Sequence, residues 1–169
     1  MSSEILSVIV RAACEALDQM FSLAPTASEP HILDQKASHG WDASGIIGLT
    51  GAGKGMVVLR LRKTMVNHLL KKSGMEANSP EEEQELVNSL LGELTNVVSG
   101  HVINTLTEYD LDITVPLIVQ GPDHKINWPV FAPVNQVPIN PFLHLPCSDA
   151  AHVVVTFNNN LRIARCRNP

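Results

Sequence analysis

A chain of 169 residues, 44% of them apolar and 17% charged, has the length and balance of one soluble globular domain, expected to occupy 1–169. No stretch approaches the roughly 20 consecutive apolar residues that span a bilayer, so no membrane contact of that kind is expected. The net charge of −5 argues against a nucleic-acid or anionic-membrane surface, because phosphate binding draws its affinity from clustered Lys and Arg.

From Ser3 to about Leu23, Ile5, Leu6, Ile9, Val10, Ala13, Leu17, Met20 and Phe21 recur at helical spacing and Pro25 follows as a stop, which predicts a first amphipathic helix. Glu4 stands where a signal peptide carries basic residues, and Arg11, Glu15 and Asp18 interrupt the apolar run, so this is read as a helix of the mature protein. Residues 24–43 are mixed and polar, with a short strand expected at His31-Ile32-Leu33. Two apolar runs, Ala43 to Thr50 and Met56 to Arg62, flank the glycine-rich Gly51 to Gly55 and predict a hairpin. A second helix is expected from Lys63 to Gly74, whose glycine supplies a left-handed cap.

Ser79 as N-cap, Pro80 at the first helical position and Glu82 three residues after the cap predict the start of a long helix reaching about Thr107. Its expected core stripe is Leu86, Leu90, Leu94, Val97, Val98, Val102, Thr105 and Leu106. Asp112 to Val119 follows as a strand that Pro116 marks as an edge, a bulge or a break. The proline-rich stretch 120–141 is expected to be a structured loop or edge excursion instead of a linker. Strands are then predicted at Pro141 to Pro146 and His152 to Phe157, with a turn at 158–160 and a short terminal strand at 161–164. This order is that of an α+β fold, a largely antiparallel β-sheet with helices packed on one face.

Three constellations invite a chemical reading. Gly48 to Gly55 satisfies G-x-x-x-x-G-K at Gly48, Gly53 and Lys54, yet lacks the following Ser or Thr and leads into a strand instead of a helix. A hairpin therefore fits better than a nucleotide loop. His144, Cys147, His152, His101 and His124 are metal-ligating types without a familiar spacing, so no metal site is assigned. Cys14, Cys147 and Cys166 form no CxxC pair and leave one thiol over, which suits a reducing cytoplasm.

The third constellation is on the long helix, where Glu93, Asn96 and Gly100 stand at i, i+3 and i+7 and so share a face. Gly92 and Gly100 flank the polar pair although a mid-helix glycine costs about 0.5–1 kcal/mol relative to alanine. Spacing alone fits two readings equally: a solvated face with glycines for helix-on-sheet packing, or a surface onto which a partner docks.

Glu-x-x-Asn followed four residues later by Gly, on a helix with an acidic capped start, resembles the CheC/CheX/FliY phosphatases. The Ser44 to Gly51 strand with Gly55 to Val58, the short helix between, and the Asp112 to Gly121 strand match in order and spacing over roughly residues 3–163. CheC-type members carry two such helical motifs, whereas the first helix here offers only Glu15-Ala-Leu-Asp18, so the resemblance points to CheX. It implies hydrolysis of the aspartyl phosphate of a CheY-like receiver, with Asn96 orienting the attacking water, Glu93 pairing with a receiver lysine, and Gly92 and Gly100 admitting the partner's backbone. Mg2+ would be held by the receiver, and a cytoplasmic homodimer whose sheets join edge to edge is expected. The alternative is a non-catalytic receiver-binding or scaffold module of the same fold.

Overall fold

Period-two alternation over residues 43–61 becomes the middle of the sheet. The computed structural model describes residues 3–27, 31–32, 41–51, 54–105, 111–122, 124–127, 134–140 and 151–157. Its elements in chain order are α1 (Ser3–Phe21), β1 (Thr26–Ala27), β2 (His31–Ile32), β3 (Ala43–Gly51), β4 (Gly55–Leu61), α2 (Lys63–Lys72), α3 (Pro80–Thr105), β5 (Leu111–Ile113), β6 (Leu117–Gln120), β7 (Val134–Asn140) and β8 (Ala151–Phe157). The sheet runs β1-β7-β8-β4-β3-β5, with β2 also on β7 and β6 also on β3. Every described pairing is antiparallel, as the α+β expectation requires.

Alternation then sorts the two faces. Val57, Leu59 and Leu61 of β4 join Ala43, Ile47 and Leu49 of β3 in one core with Ile9, Ala13 and Leu17 of α1, Met65 and Leu69 of α2, and Leu91, Leu94 and Val98 of α3. The opposite face carries Val58 with Ile46, Met56 and Ile126. Arg60 shares that second face and is only 4% exposed. Its guanidinium carbon stands 5.1 Å from the centre of the buried Trp41 ring, and that of Arg62 stands 5.5 Å away. Burial lowers the Arg60 pKa to about 10, so the side chain stays charged at neutral pH over the ring's negative face.

Several local signals act as the sequence predicts. At the end of α2, Met75 N–H donates to Leu70 O at 2.9 Å and Gly74 N–H to Lys71 O at 3.1 Å, with Gly74 at φ 67°. These are the two bonds of a Schellman cap. At the start of α3, Glu82 N–H donates to Ser79 Oγ at 3.1 Å. The return bond departs from the simple capping box, because Glu82 Oε2 accepts from Asn78 N–H at 2.7 Å instead of from Ser79.

Other expectations need correction. Of the alternatives at Pro116 the break is the one found, so Asp112 to Val119 is not one strand but falls in β5 and β6, both paired with β3. Within the proline-rich 120–141 stretch, residues 134–140 form β7 against β8. Pro138 lies within β7 opposite His152 of β8, while β2 pairs with Asn135 and Gln136 and β1 with Ile139 and Asn140. β1 itself was not expected. The predicted strands at 141–146 and 161–164 and the turn at 158–160 lie outside the described residues.

The core stripe of α3 is rolled relative to the expectation. Val87, Leu90, Leu91, Leu94, Thr95, Val98, Ser99 and Val102 are buried, whereas Leu86 and Val97 are half-buried and Thr105 is exposed. Leu106 lies outside the described residues. Two polar residues enter the core because each hydroxyl donates to a carbonyl one turn back, Thr95 to Leu91 O at 2.5 Å and Ser99 to Thr95 O at 2.6 Å. Thr95 has room only because its neighbour on β3 is Gly45.

Candidate functional site

Rolling α3 this way turns Glu93 and Asn96 outward. Both are exposed, while Leu94 and Thr95 between them are buried, so the pair stands on the crest of the helix opposite its core stripe. Gly92 and Gly100 border the pair and are half-exposed. A Cβ built at either position meets nothing within 4 Å. Packing among the described residues therefore gives no reason for glycine at either place, and it does not support helix-on-sheet contact at them. What they leave is open space beside an exposed carboxylate and an exposed carboxamide.

Both flanks of this crest are tethered. On one, Gln120 at the end of β6 donates to Gln84 O at 2.9 Å and to Asn88 Oδ1 at 2.6 Å. On the other, His101 Nδ1 lies 3.3 Å from Glu15 Oε2 of α1, and Arg11 Nε lies 3.8 Å from Glu15 Oε1. The buried stripe and the Gln120 bonds thus fix the helix in roll, which fixes where Glu93 and Asn96 point.

The crest is convex. Concavities among the described residues include a cleft of about 340 Å3 between α2, the start of α3 and Gln120, and a groove of about 500 Å3 lined by Ile46, Met56, Thr114, Val115 and Leu117. Glu93 and Asn96 line neither. A convex pair of polar side chains with cleared space around it is suited to entering a partner's pocket, where small-molecule sites are concave and largely apolar.

The rejected motifs fall where their chemistry is of little use. Gly48 and Gly55 are strand residues in register across the hairpin, at Gly48↔Met56 and Leu49↔Gly55, so no helix N-terminus is presented to an anion. Among the described residues no three His, Cys, Asp or Glu side chains gather as metal ligands. His144 and Cys147 lie outside the described residues. One arrangement that the sequence did not suggest is Ser44 Oγ at 2.6 Å from His124 Nε2, with His124 Nδ1 at 2.8 Å from Gly121 O. The carbonyl requires the proton on Nδ1, so Nε2 accepts from the serine hydroxyl. The order of groups is that of an activated nucleophile, but Ser44 is 0% exposed and no substrate can reach it. It is a tie that holds the turn after β6 to the sheet.

The family profile described as chemotaxis phosphatase CheX matches residues 43–158, more than half of the chain and the whole of the α3 crest. The chain belongs to the CheX family. No curated protein sequence matches it. Among solved structures it is similar to a CheC-like superfamily protein from Shewanella sp. PV-4, with 25% identity, TM-score 0.78, and 94% of this chain and 99% of that one covered. It is also similar to CheX from Desulfovibrio desulfuricans, at 21% identity and TM-score 0.76 over 92% and 99% of the two chains. A third likeness is to CheX in the CheX-CheY-BeF3-Mg2+ complex from Borrelia burgdorferi, at 23% identity and TM-score 0.72 over 90% and 97%. The fold is that of CheC/CheX-like proteins, and the family is one of chemotaxis phosphatases.

Proposed function

We propose that this CheX-family chain hydrolyses the aspartyl phosphate of a CheY-like receiver, with α3 entering the receiver's active site. The observation that carries this is the exposed Glu93–Asn96 pair between two glycines whose missing side chains the chain's own packing does not need. The Borrelia burgdorferi complex pairs a CheX with CheY, BeF3 and Mg2+, which supports the same partner class here; the receiver would hold the Mg2+.

An acyl phosphate is labile, so the reaction asks chiefly for positioning. Water oxygen bonds to phosphorus as the bond from phosphorus to the aspartate oxygen breaks, giving receiver carboxylate and inorganic phosphate. The Asn96 carboxamide has both donors and an acceptor to hold that water in line and cannot act as a base. Glu93, one turn away, pairs with a receiver lysine and sets the register of docking. Gly92 and Gly100 let the receiver backbone approach.

The protein acts in the cytoplasm as a homodimer. Among the described residues no strand covers the outer edge of β5 and β6, and Val115 at 88% and Leu117 at 60% exposed beside the apolar groove support a dimer edge there.

Phosphate release from a phosphorylated receiver tests the reading. Asn96→Ala is expected to lower the accelerated rate by roughly 10²-fold while binding of a beryllofluoride-activated receiver persists. Glu93→Ala should weaken both binding and turnover. Unchanged phosphate release in the Asn96 variant would overturn the mechanism.

A further inference from the structure

We infer that Arg11 and Glu15 of α1 form the second half of the receiver-docking surface and help decide which receiver is accepted. The inference rests on the docking role proposed for α3 and starts from its size. A specific interface buries about 800 Å2 per partner, roughly 20–30 residues a side. The outer face of α3 offers Glu85, Asn88, Ser89, Glu93, Asn96 and Asn104 as exposed residues, with Gly92 and Gly100 between them. That is one narrow crest, and a receiver seated on it must rest on a neighbouring element as well.

The structure favours α1 as that neighbour. Gln120 grips α3 at Gln84 and Asn88, two turns and more before Asn96. The α1 contact falls at His101, about 7.5 Å along the helix axis beyond Asn96 and next to the space that Gly100 leaves open. A backbone entering over Gly100 therefore arrives beside Glu15. The Glu15 side chain is 50% exposed and that of Arg11 61%, and Asp18 is exposed one turn further along the same face.

The chemistry of this patch suits partner choice more than folding. Ion pairs this exposed contribute little to stability. Charges at the rim of an interface instead set association rate and exclude partners with the wrong charge pattern. The same pairing also explains why α1 is not a second copy of the α3 site. Glu15 already lies against Arg11 and His101, and Asp18 has no carboxamide with which to hold a water.

The charge-swapped variant Arg11→Glu/Glu15→Arg tests this, with the milder Arg11→Ala/Glu15→Gln beside it. Affinity for a beryllofluoride-activated receiver and steady-state phosphate release are measured at two salt concentrations. The expected result is a Kd and a KM raised about tenfold in the swap, less in the milder variant, with kcat at saturating receiver unchanged and the salt dependence of binding altered. A parallel fall in kcat with unchanged KM, or Kd and KM within twofold of wild type in both variants, overturns the inference. If wild-type protein dephosphorylates the receiver and only the α1 variants behave as wild type, the role of α3 stands. If wild-type protein neither binds nor dephosphorylates any receiver, the reading of α3 fails and this one with it.

Discussion

Thr95 on α3 occupies the space that a Cβ at Gly45 on β3 would need. The close approach sets how deeply α3 sits on the sheet and, through the next residue, where Asn96 stands. Thr95 cannot easily turn away, because its hydroxyl is engaged with Leu91 O at 2.5 Å in a buried position. Gly45→Ala should therefore destabilise the fold by about 1–3 kcal/mol, the usual cost of overpacking, and lower turnover by displacing the crest. Thr95→Ala in the same chain should recover part of both, with a favourable coupling of about 0.5–3 kcal/mol in a double-mutant cycle by urea unfolding. Strictly additive effects would mean that the two residues do not limit one another.

That contact also shows which parts of the molecule were legible in the sequence. The cap residues Ser79 and Gly74 and the alternation from Ala43 to Leu61 act within a few residues of themselves, so their signals survive without tertiary context. The roll of α3 does not. Thr95 and Ser99 read as polar, yet each satisfies its hydroxyl on the carbonyl one turn back and is buried where the sheet gives way at Gly45. Leu86 and Val97 read as core and are displaced to the margin by that roll. Glu93 and Asn96 were legible as a pair on one face, while their isolation on a convex crest depended on strands far away in the chain. Pro138 hid β7, since a proline inside a run argues against a strand until its pairing with β8 is seen. The Glu15–His101 contact joins residues too far apart in sequence for any local pattern to carry it.

The open space at Gly100 makes stability and function move in opposite directions. Because a Cβ there meets nothing within 4 Å, Gly100→Ala should stabilise the helix by about 0.5–1 kcal/mol, the ordinary gain of alanine over glycine. Gly100→Trp should fold equally well yet block the receiver's backbone and abolish binding. Thermal unfolding paired with a binding titration reads both effects. A tryptophan variant that binds and dephosphorylates the receiver as wild type does would show that no partner needs the space.

The acidic start of α3 gives a pH signature of known sign. Glu82 has its pKa lowered, first by the backbone N–H of Asn78 at 2.7 Å and second by the Asn78 side chain at 3.1 Å, both donating to Oε2. A carboxyl held below its unfolded value of about 4.3 adds stability that is present above that pH and is lost as pH falls through the lower folded value. Glu82→Gln keeps an acceptor oxygen and removes the charge, so the variant should lose this part of the acid dependence while unfolding like wild type in shape. Ser79→Ala removes the hydroxyl that accepts from Glu82 N–H and should cost about 1 kcal/mol at every pH. Urea midpoints between pH 3 and 7, with amide exchange at residues 81–83 as a local readout, separate the two contributions. An unaltered pH slope in Glu82→Gln would place the acid sensitivity of the fold elsewhere.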